Sequence, residues 1–305
     1  QAGEAPRRRL ALLLAIGLVA GLGLAAADAV TGNAIRAAAR GLREAPATLA
    51  FGLKPAASVM ALLLPLAMAL PWPLLPRLLL LLGGAGVLVA LPGDTAKIAA
   101  VLGLAVAGAA TFAPRLVPRA VGAGLAGILL LMPALVSAIP SLPVERLPVS
   151  ALHRMLIWDF TAARIAERLV TGWGLEASRE VPGGRDPVAA EALDRLRVTD
   201  PGLRAWFAMP RVQALPLHPH NGALQIWLEL GAVGAVLAAL LAWGLGLAAA
   251  RAPCPAAAAG ALASAGVTAM LSFGAWQAWW VAAMLLAAVA AAALPRESTQ
   301  APATR

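Results

Sequence analysis

The sequence predicts an all-α polytopic integral membrane protein of about eight transmembrane helices, with one large, partly helical loop outside the bilayer. Three observations predict it. Of the 305 residues, 61% are hydrophobic and only 13% charged, against roughly 45–50% apolar and about 25% charged in soluble chains; mean hydropathy is +0.80. The apolar residues gather in Leu/Ala/Gly/Val runs that repeatedly approach the roughly 20 residues a helix needs to cross a bilayer. They are long runs rather than ten-residue alternating segments, which excludes an outer-membrane barrel.

Reading these runs between Pro, Gly and charged punctuation places spans at about 10–27, 53–71, 77–92, 97–113, 119–139, 222–250, 256–273 and 275–294. The first follows Arg7-Arg8-Arg9 as a signal peptide would, but further spans keep coming, so it reads as an ordinary transmembrane helix. Between the last two, Ser272-Phe273-Gly274 is a thin break. The chain thus divides into a membrane region at 1–139 with about five spans, a polar loop at 140–220, a membrane region at 221–295 with about three spans, and a tail at 296–305.

Orientation follows from the rule that Arg and Lys gather in short cytoplasmic loops. With Arg7–Arg9 inside, Arg77, Arg115 with Arg119, Arg251 and Arg296 all fall on the same side. Asp94 and the 140–220 loop fall outside, and both chain ends fall inside. The exception is 28–52, where Arg36, Arg40 and Arg43 lie on the outer side. The Ala/Arg pattern there predicts an amphipathic helix lying in the interface. Lys54 and Lys97 become cations near the outer ends of their spans.

A net charge of +9 invites a nucleic-acid reading, and its distribution argues against one. The polar loop carries ten Arg against nine Asp and Glu, whereas a duplex-binding face is one-signed. The basic excess sets topology, and the partners expected are membrane lipids. Cys254 is the single cysteine, so no disulfide framework or cysteine metal site can be built.

The 140–220 loop is too long for an ordinary connection. Residues 150–170 place Leu152, Met155, Leu156, Phe160, Ala163, Ile165 and Leu169 at helical spacing, with Ser150 as expected N-cap. Gly172-Trp173-Gly174 is expected to stop this helix. A Pro/Gly-rich patch at 182–187, a second helix at 188–198 and the pair Trp206-Phe207 lead back to the membrane.

Chemistry concentrates at the return. His218-Pro219-His220-Asn221 immediately precedes a long apolar helix bearing Gln225, Trp227 and Glu229. Asn221 is a natural N-cap, which places His220 at the positive end of a helix dipole. That end attracts anions and disfavours protonation of a histidine. A neutral imidazole beside a phosphate-bearing ligand suits a general base. A histidine beside proline is ordinarily only a turn residue, and two histidines can bind metal. No third His, Cys or carboxylate is close in sequence, so no metal is expected. Glu229 lies about 12 Å along the helix from its cap, deep enough for a carboxylate to need a partner. His153-Arg154 is ordinarily a solvated face, and Lys54 and Lys97 can snorkel to headgroups.

Taken in order, Ser150-Ala-Leu-His-Arg154-Met-Leu-Ile-Trp158, then Gly172-Trp-Gly-Leu-Glu-Ala-Ser178-Arg179, then His218-Pro-His-Asn221 with Gln225, Glu229 and Gly231, resemble the O-antigen ligase and Wzy-type polymerase superfamily. Its marks are an Arg-x-x-x-Trp helix, a Gly-x-Gly turn, and a His-Asn where a large periplasmic loop returns to the membrane. The resemblance is strongest over about 145–235. It implies a bacterial inner-membrane glycosyltransferase that moves a glycan from an undecaprenyl-pyrophosphate carrier to an acceptor at the periplasmic face, without cofactor or metal. It also implies His220 as base and Arg154 as the grip on pyrophosphate, since a guanidinium offers a forked, permanently charged donor. Lys54, Lys97, His218, Arg179, Asn221 and Glu229 follow as substrate-binding candidates. Acceptors in the family are a sugar of lipid A–core, another carrier-linked repeat, or a protein hydroxyl, and the shared motifs leave these open.

Two departures stand out. The family fold has about twelve spans, so eight imply a shortened version. Lys54-Pro-Ala-Ala matches a span start where many relatives carry Arg. A transporter would place polar residues at mid-membrane on broken helices and often show repeats; these spans are nearly free of charge and no inverted repeat is visible. A purely structural membrane protein leaves His220-Asn221 and Arg154 unexplained.

Overall fold

A computed structural model describes residues 3–141 and 146–294; the expected tail at 296–305 lies outside them. The chain is an all-α polytopic membrane protein. Among the described residues there is no strand, only an isolated bridge between Pro187 and Gln213. Five helical stretches are long and apolar enough to cross a membrane, namely Glu4–Val30, Ala47–Ala69, Asp94–Phe112, Leu116–Ser137 and Gly222–Ala249. Leu74–Ala90, Pro255–Leu271 and Ala278–Ala293 are shorter apolar helices, so each of the eight expected spans has a helical counterpart.

The described chain forms two compact units. One comprises residues up to 122, 244–268 and 279 onward; the other comprises 123–243 and 269–278. In the first, α1 (Glu4–Val30) buries Ala11, Ala15, Leu18, Leu22 and Ala25, a stripe at spacings of three and four that packs on α3 (Lys54–Leu63) and α4 (Leu74–Ala90). α3 is flanked by 3-10 turns at Ala47–Leu53 and Leu64–Ala69, and both Pro55 and Pro65 sit in first turns, where a missing N–H costs nothing. α5 (Asp94–Phe112) meets α11 (Pro255–Leu271) closely enough for the Ser264 hydroxyl to donate to Ala99 O at 2.9 Å. α12 (Ala278–Ala293) completes the apolar helices.

The 28–52 segment departs from expectation. Between the end of α1 and the 3-10 turn only α2 (Ala34–Ala39) is α-helical, and Arg36 is not a surface charge. Its Nε donates to Asp28 Oδ2 at 2.5 Å, its Nη2 to Asn33 Oδ1 at 2.6 Å and its Nη1 to Leu49 O. Asn33 adopts a left-handed φ of 70°, which folds α2 back so that Arg36 reaches the last turns of α1. A buried carboxylate needs such a partner, and Asp28 is 2% exposed.

The second unit contains the later part of α6 (Leu116–Ser137), α7 (Val149–Glu167), α8 (Ala190–Arg195), α9 (Pro201–Phe207) and the start of α10 (Gly222–Ala249). Its core joins Leu129 and Met132 of α6 to Leu152, Leu156, Ile157 and Ile165 of α7, Phe207 of α9 and Leu224 and Leu228 of α10. Ser150 is not the cap of α7. Pro148 occupies that position, its φ of −54° suited to the cap, and its carbonyl accepts from Ala151 and Leu152 N–H; Ser150 lies in the first turn. The core face of α7 runs through Ile157 and Thr161 rather than Ala163 and Leu169, which are exposed.

α7 also stops before the Gly-Trp-Gly turn, and α10 supplies the reason. Gly231 has φ 63° and ψ −159°, so α10 is broken there. Trp173 and Gly174 N–H donate to the carbonyls of Leu228 and Glu229 at 2.8 and 2.9 Å. Ala232 and Val233 N–H donate to the carbonyls of Leu169 and Val170 at 2.8 and 3.4 Å. Residues 169–174 therefore leave α7 to replace the bonds that α10 loses at its break. The segment must come close, and a Cβ on Gly172 or Gly231 would strike the backbone of the other strand of this stitch.

Candidate functional site

The site is assembled on the return to the membrane. Asn221 Oδ1 accepts the Leu224 N–H at 3.0 Å, so Asn221 caps α10 as its type and position predict. The residue before it, His220, takes a left-handed φ of 53°. Three contacts hold that bend. The His220 N–H donates to His218 Nδ1 at 3.1 Å, the His220 ring Nδ1 lies 2.8 Å from Ser272 O, and Trp158 Nε1 donates to Pro219 O at 2.9 Å.

These bonds decide tautomers. A carbonyl only accepts, so His220 Nδ1 carries the hydrogen and, in the neutral ring, Nε2 holds the basic lone pair. His218 Nδ1 accepts an N–H, so its neutral ring carries the hydrogen on Nε2. Burial, the neighbouring His220 and Arg179 together push the His218 pKa down from 6.5 to about 4. His218 therefore stays neutral at physiological pH and supports the His220 backbone.

His220 and Arg154 share a cleft of about 420 Å³, lined also by Val149, Ser150, His153, Ile157 and Trp206. Arg154 and Trp158 are one helical turn apart on α7, so the same helix offers a guanidinium to the cleft and an indole to the loop carrying His220. His153 is not merely a solvated face. Its Nε2 lies 3.0 Å from Gln213 O, and its ring meets Trp206 edge-on with centroids 6.0 Å apart.

Beneath the loop, Glu229 is fully buried and both its oxygens accept from the protein. Oε2 takes the Glu176 N–H at 2.8 Å and Trp276 Nε1 at 2.5 Å. Oε1 takes Gln225 Nε2 at 3.0 Å, the Ser178 N–H at 3.4 Å and the Ser178 hydroxyl. Arg179, next to Ser178, pairs with Glu176 at 3.0 Å. Gln225 Oε1 in turn accepts the Ala275 N–H at 2.8 Å.

Of the residues singled out from sequence, His220, Arg154, His218, Asn221, Arg179 and Glu229 all belong to the second unit. Lys54 and Lys97 belong to the first, where Gly93 packs against the Lys54 stem just before α5 begins. Lys54 Nζ lies 4.6 Å from the Phe51 ring centroid and Lys97 Nζ 3.5 Å from Asp94. Sequence reasoning missed Ser272, which acts through a carbonyl and has no side-chain signal. It also assigned no role to Trp206 and Trp276, although an indole N–H beside a loop is a donor seeking a partner. Among the described residues, no group of three His, Cys, Asp or Glu side chains is placed to hold a metal ion.

No family model and no solved structure matches the chain. Curated proteins do. A Rickettsia conorii protein named "Putative polysaccharide ligase" is 38% identical over 88 residues, 29% of this chain and 18% of that protein. A Rickettsia prowazekii protein of the same description is 30% identical over 139 residues, and one from Rickettsia typhi 29% identical over 139; each match covers 43% of this chain and 29% of the relative. The chain thus spans under a third of the length of these relatives, and over that part it is similar to proteins named for joining polysaccharides.

Proposed function

We propose that the protein is a membrane glycosyltransferase that moves a glycan from an undecaprenyl-pyrophosphate carrier to an acceptor sugar at the periplasmic face of the bacterial inner membrane. The observation that carries this reading is the shared cleft of His220 and Arg154, with the His220 tautomer set by Ser272 O. His220 Nε2 takes the proton of an acceptor hydroxyl, whose oxygen attacks the anomeric carbon of the donor glycan. The bond from that carbon to the pyrophosphate oxygen breaks, and the carrier leaves as its pyrophosphate. Arg154 stabilises the charge that develops there. The sequence needs no metal for this, because a guanidinium neutralises the leaving group directly.

The orientation that follows from the basic short loops places both chain ends in the cytoplasm and the cleft outside. Arg179 is assigned to the donor phosphates. Lys54 and Lys97, in the first unit, are assigned to carrier or lipid phosphates at the outer headgroups. The names of the Rickettsia relatives favour a ligase, with lipid A–core or another glycan as acceptor, over a polymerase or a protein glycosyltransferase. The test is transfer from a purified carrier-linked glycan in EDTA. His220→Ala is expected to abolish transfer and EDTA to leave it intact. Retained transfer by His220→Ala removes the base assignment, and loss in EDTA restored by divalent metal removes the metal-free mechanism. In a deletion strain, uncapped lipid A–core with accumulated carrier-linked polymer marks a ligase; single repeats on the core mark a polymerase.

A further inference from the structure

Among the described residues Glu229 is the one buried carboxylate of the second unit, and the reaction just described gives it no step. All of its hydrogen-bond partners are donors, and they come from three places: Glu176 and Ser178 on the turn that carries Arg179, Gln225 on its own helix, and Trp276 on the segment after α11. Gln225 extends the reach by holding the Ala275 N–H. Ser272, whose carbonyl accepts from the His220 ring, lies three residues before Ala275, and the intervening Gly274 packs against the His218 ring, where a Cβ would stand 3.1 Å from the imidazole. One carboxylate therefore fixes the segment that orients His220.

Building on the glycosyltransferase reading, we propose that Glu229 is a positioning residue. It registers the 272–276 segment so that Ser272 O holds the His220 ring in the Nδ1–H tautomer, and it anchors the 176–178 turn beside Arg179. Its carboxylate is already engaged by the protein's own donors on both oxygens, which is the arrangement of a brace rather than of a group held out to a ligand. A carboxamide cannot do the same, because its NH2 would face an N–H donor whichever way it turned.

The experiment measures kcat, KM for the carrier-linked glycan and the pH dependence of kcat/KM for the wild type, Glu229→Gln and Trp276→Phe, each purified as a monodisperse full chain. Glu229→Gln is expected to lower kcat by roughly tenfold to a hundredfold, to leave KM within about threefold, and to displace the limb of the pH profile that belongs to His220. Trp276→Phe removes a single donor to Glu229 and is expected to give a smaller kcat loss with the same displaced limb. A raised KM with unchanged kcat makes Glu229 a substrate ligand and overturns the proposal. An unmoved limb in Trp276→Phe overturns it even if Glu229→Gln does not fold. Transfer retained by His220→Ala removes the reading beneath it, whereas normal Glu229→Gln kinetics in an enzyme that His220→Ala inactivates refutes the positioning role alone.

Discussion

Replacing Gly231 with alanine tests the break in α10. Gly231 sits at φ 63° and ψ −159°, a region that only glycine occupies freely, and holding another residue there costs about 1–3 kcal/mol. A Cβ would also collide with the Val170 carbonyl and stand 2.6 Å from Gly172 N, so the 169–174 segment must withdraw. Withdrawal weakens the four bonds that segment makes to Leu228, Glu229, Ala232 and Val233, each with a net contribution of about 0.5–1.5 kcal/mol. If all four bonds are lost the total is about 3–9 kcal/mol, a large part of the stability of a typical domain. Two other glycines calibrate the measurement. Gly174 has φ 102° with nothing within 4 Å of its Cβ position, so Gly174→Ala incurs backbone strain alone. Gly244 lies in regular helix with nothing within 4 Å, so Gly244→Ala is expected to be neutral or stabilising by up to about 1 kcal/mol. Thermal unfolding in detergent, followed by tryptophan fluorescence, should order the melting midpoints as Gly244→Ala, Gly174→Ala, Gly231→Ala from highest to lowest. A Gly231→Ala midpoint equal to that of Gly244→Ala refutes the stitched break.

Two further substitutions probe charge. His218 is protonated near pH 6.5 when unfolded and only near pH 4 when folded, so the unfolded state binds more protons between those values. Its contribution is complete above about pH 6.5 and is lost as pH falls towards 4, a loss of about 3 kcal/mol. The wild type should therefore lose more stability than His218→Gln between pH 7 and 4.5, and parallel losses would contradict the assignment. Asp28→Ala leaves Arg36 without its carboxylate and should destabilise the first unit by about 3–5 kcal/mol, part of which Asp28→Ala with Arg36→Leu restores; equal stability of the single and double variants would show that the pair is not coupled.

What was legible in the sequence was local. The apolar runs showed the helices, because a bilayer demands that backbone groups pair within each segment. Asn221 was legible as a cap because its side chain and the apolar run behind it obey a rule spanning four residues. The errors lie where a distant partner overrides the local rule. Ser150 looked like a cap until Pro148 took the position. Arg36 looked like an interfacial charge until the left-handed turn at Asn33 returned it to Asp28. The 222–250 run read as one continuous span, because nothing within α10 announces the break at Gly231 that residues 169–174 complete. The presence of Arg154 and His220 in one cleft was suggested by motif order, and no spacing argument reaches across the 65 residues between them. Ser272 was invisible, since a carbonyl that orients a ring belongs to every residue type.

The three ordered motifs make physical sense as parts of one hydrogen-bonded frame. Trp158, four residues after Arg154, donates to Pro219 between the two histidines. Gly172 and its neighbours complete the broken α10 that Asn221 begins. Glu229, at that break, holds Ser178 beside Arg179. A broken helix among apolar neighbours survives only where its freed N–H and C=O groups find partners, so the break and the stitch must exist together. The same condition explains why His220, a residue with a Cβ, sits at φ 53°. Strain of that kind persists only when surrounding contacts over-determine it, and here the Asn221 cap, the His218 ring and the Ser272 carbonyl do so from three directions. In the proposed reaction, holding the His220 ring in this way removes ring rotation from the proton-transfer step. The frame therefore fixes the geometry of the cleft through the chain's own hydrogen bonds, and in the proposed reaction that fixed geometry sets the register in which donor and acceptor meet.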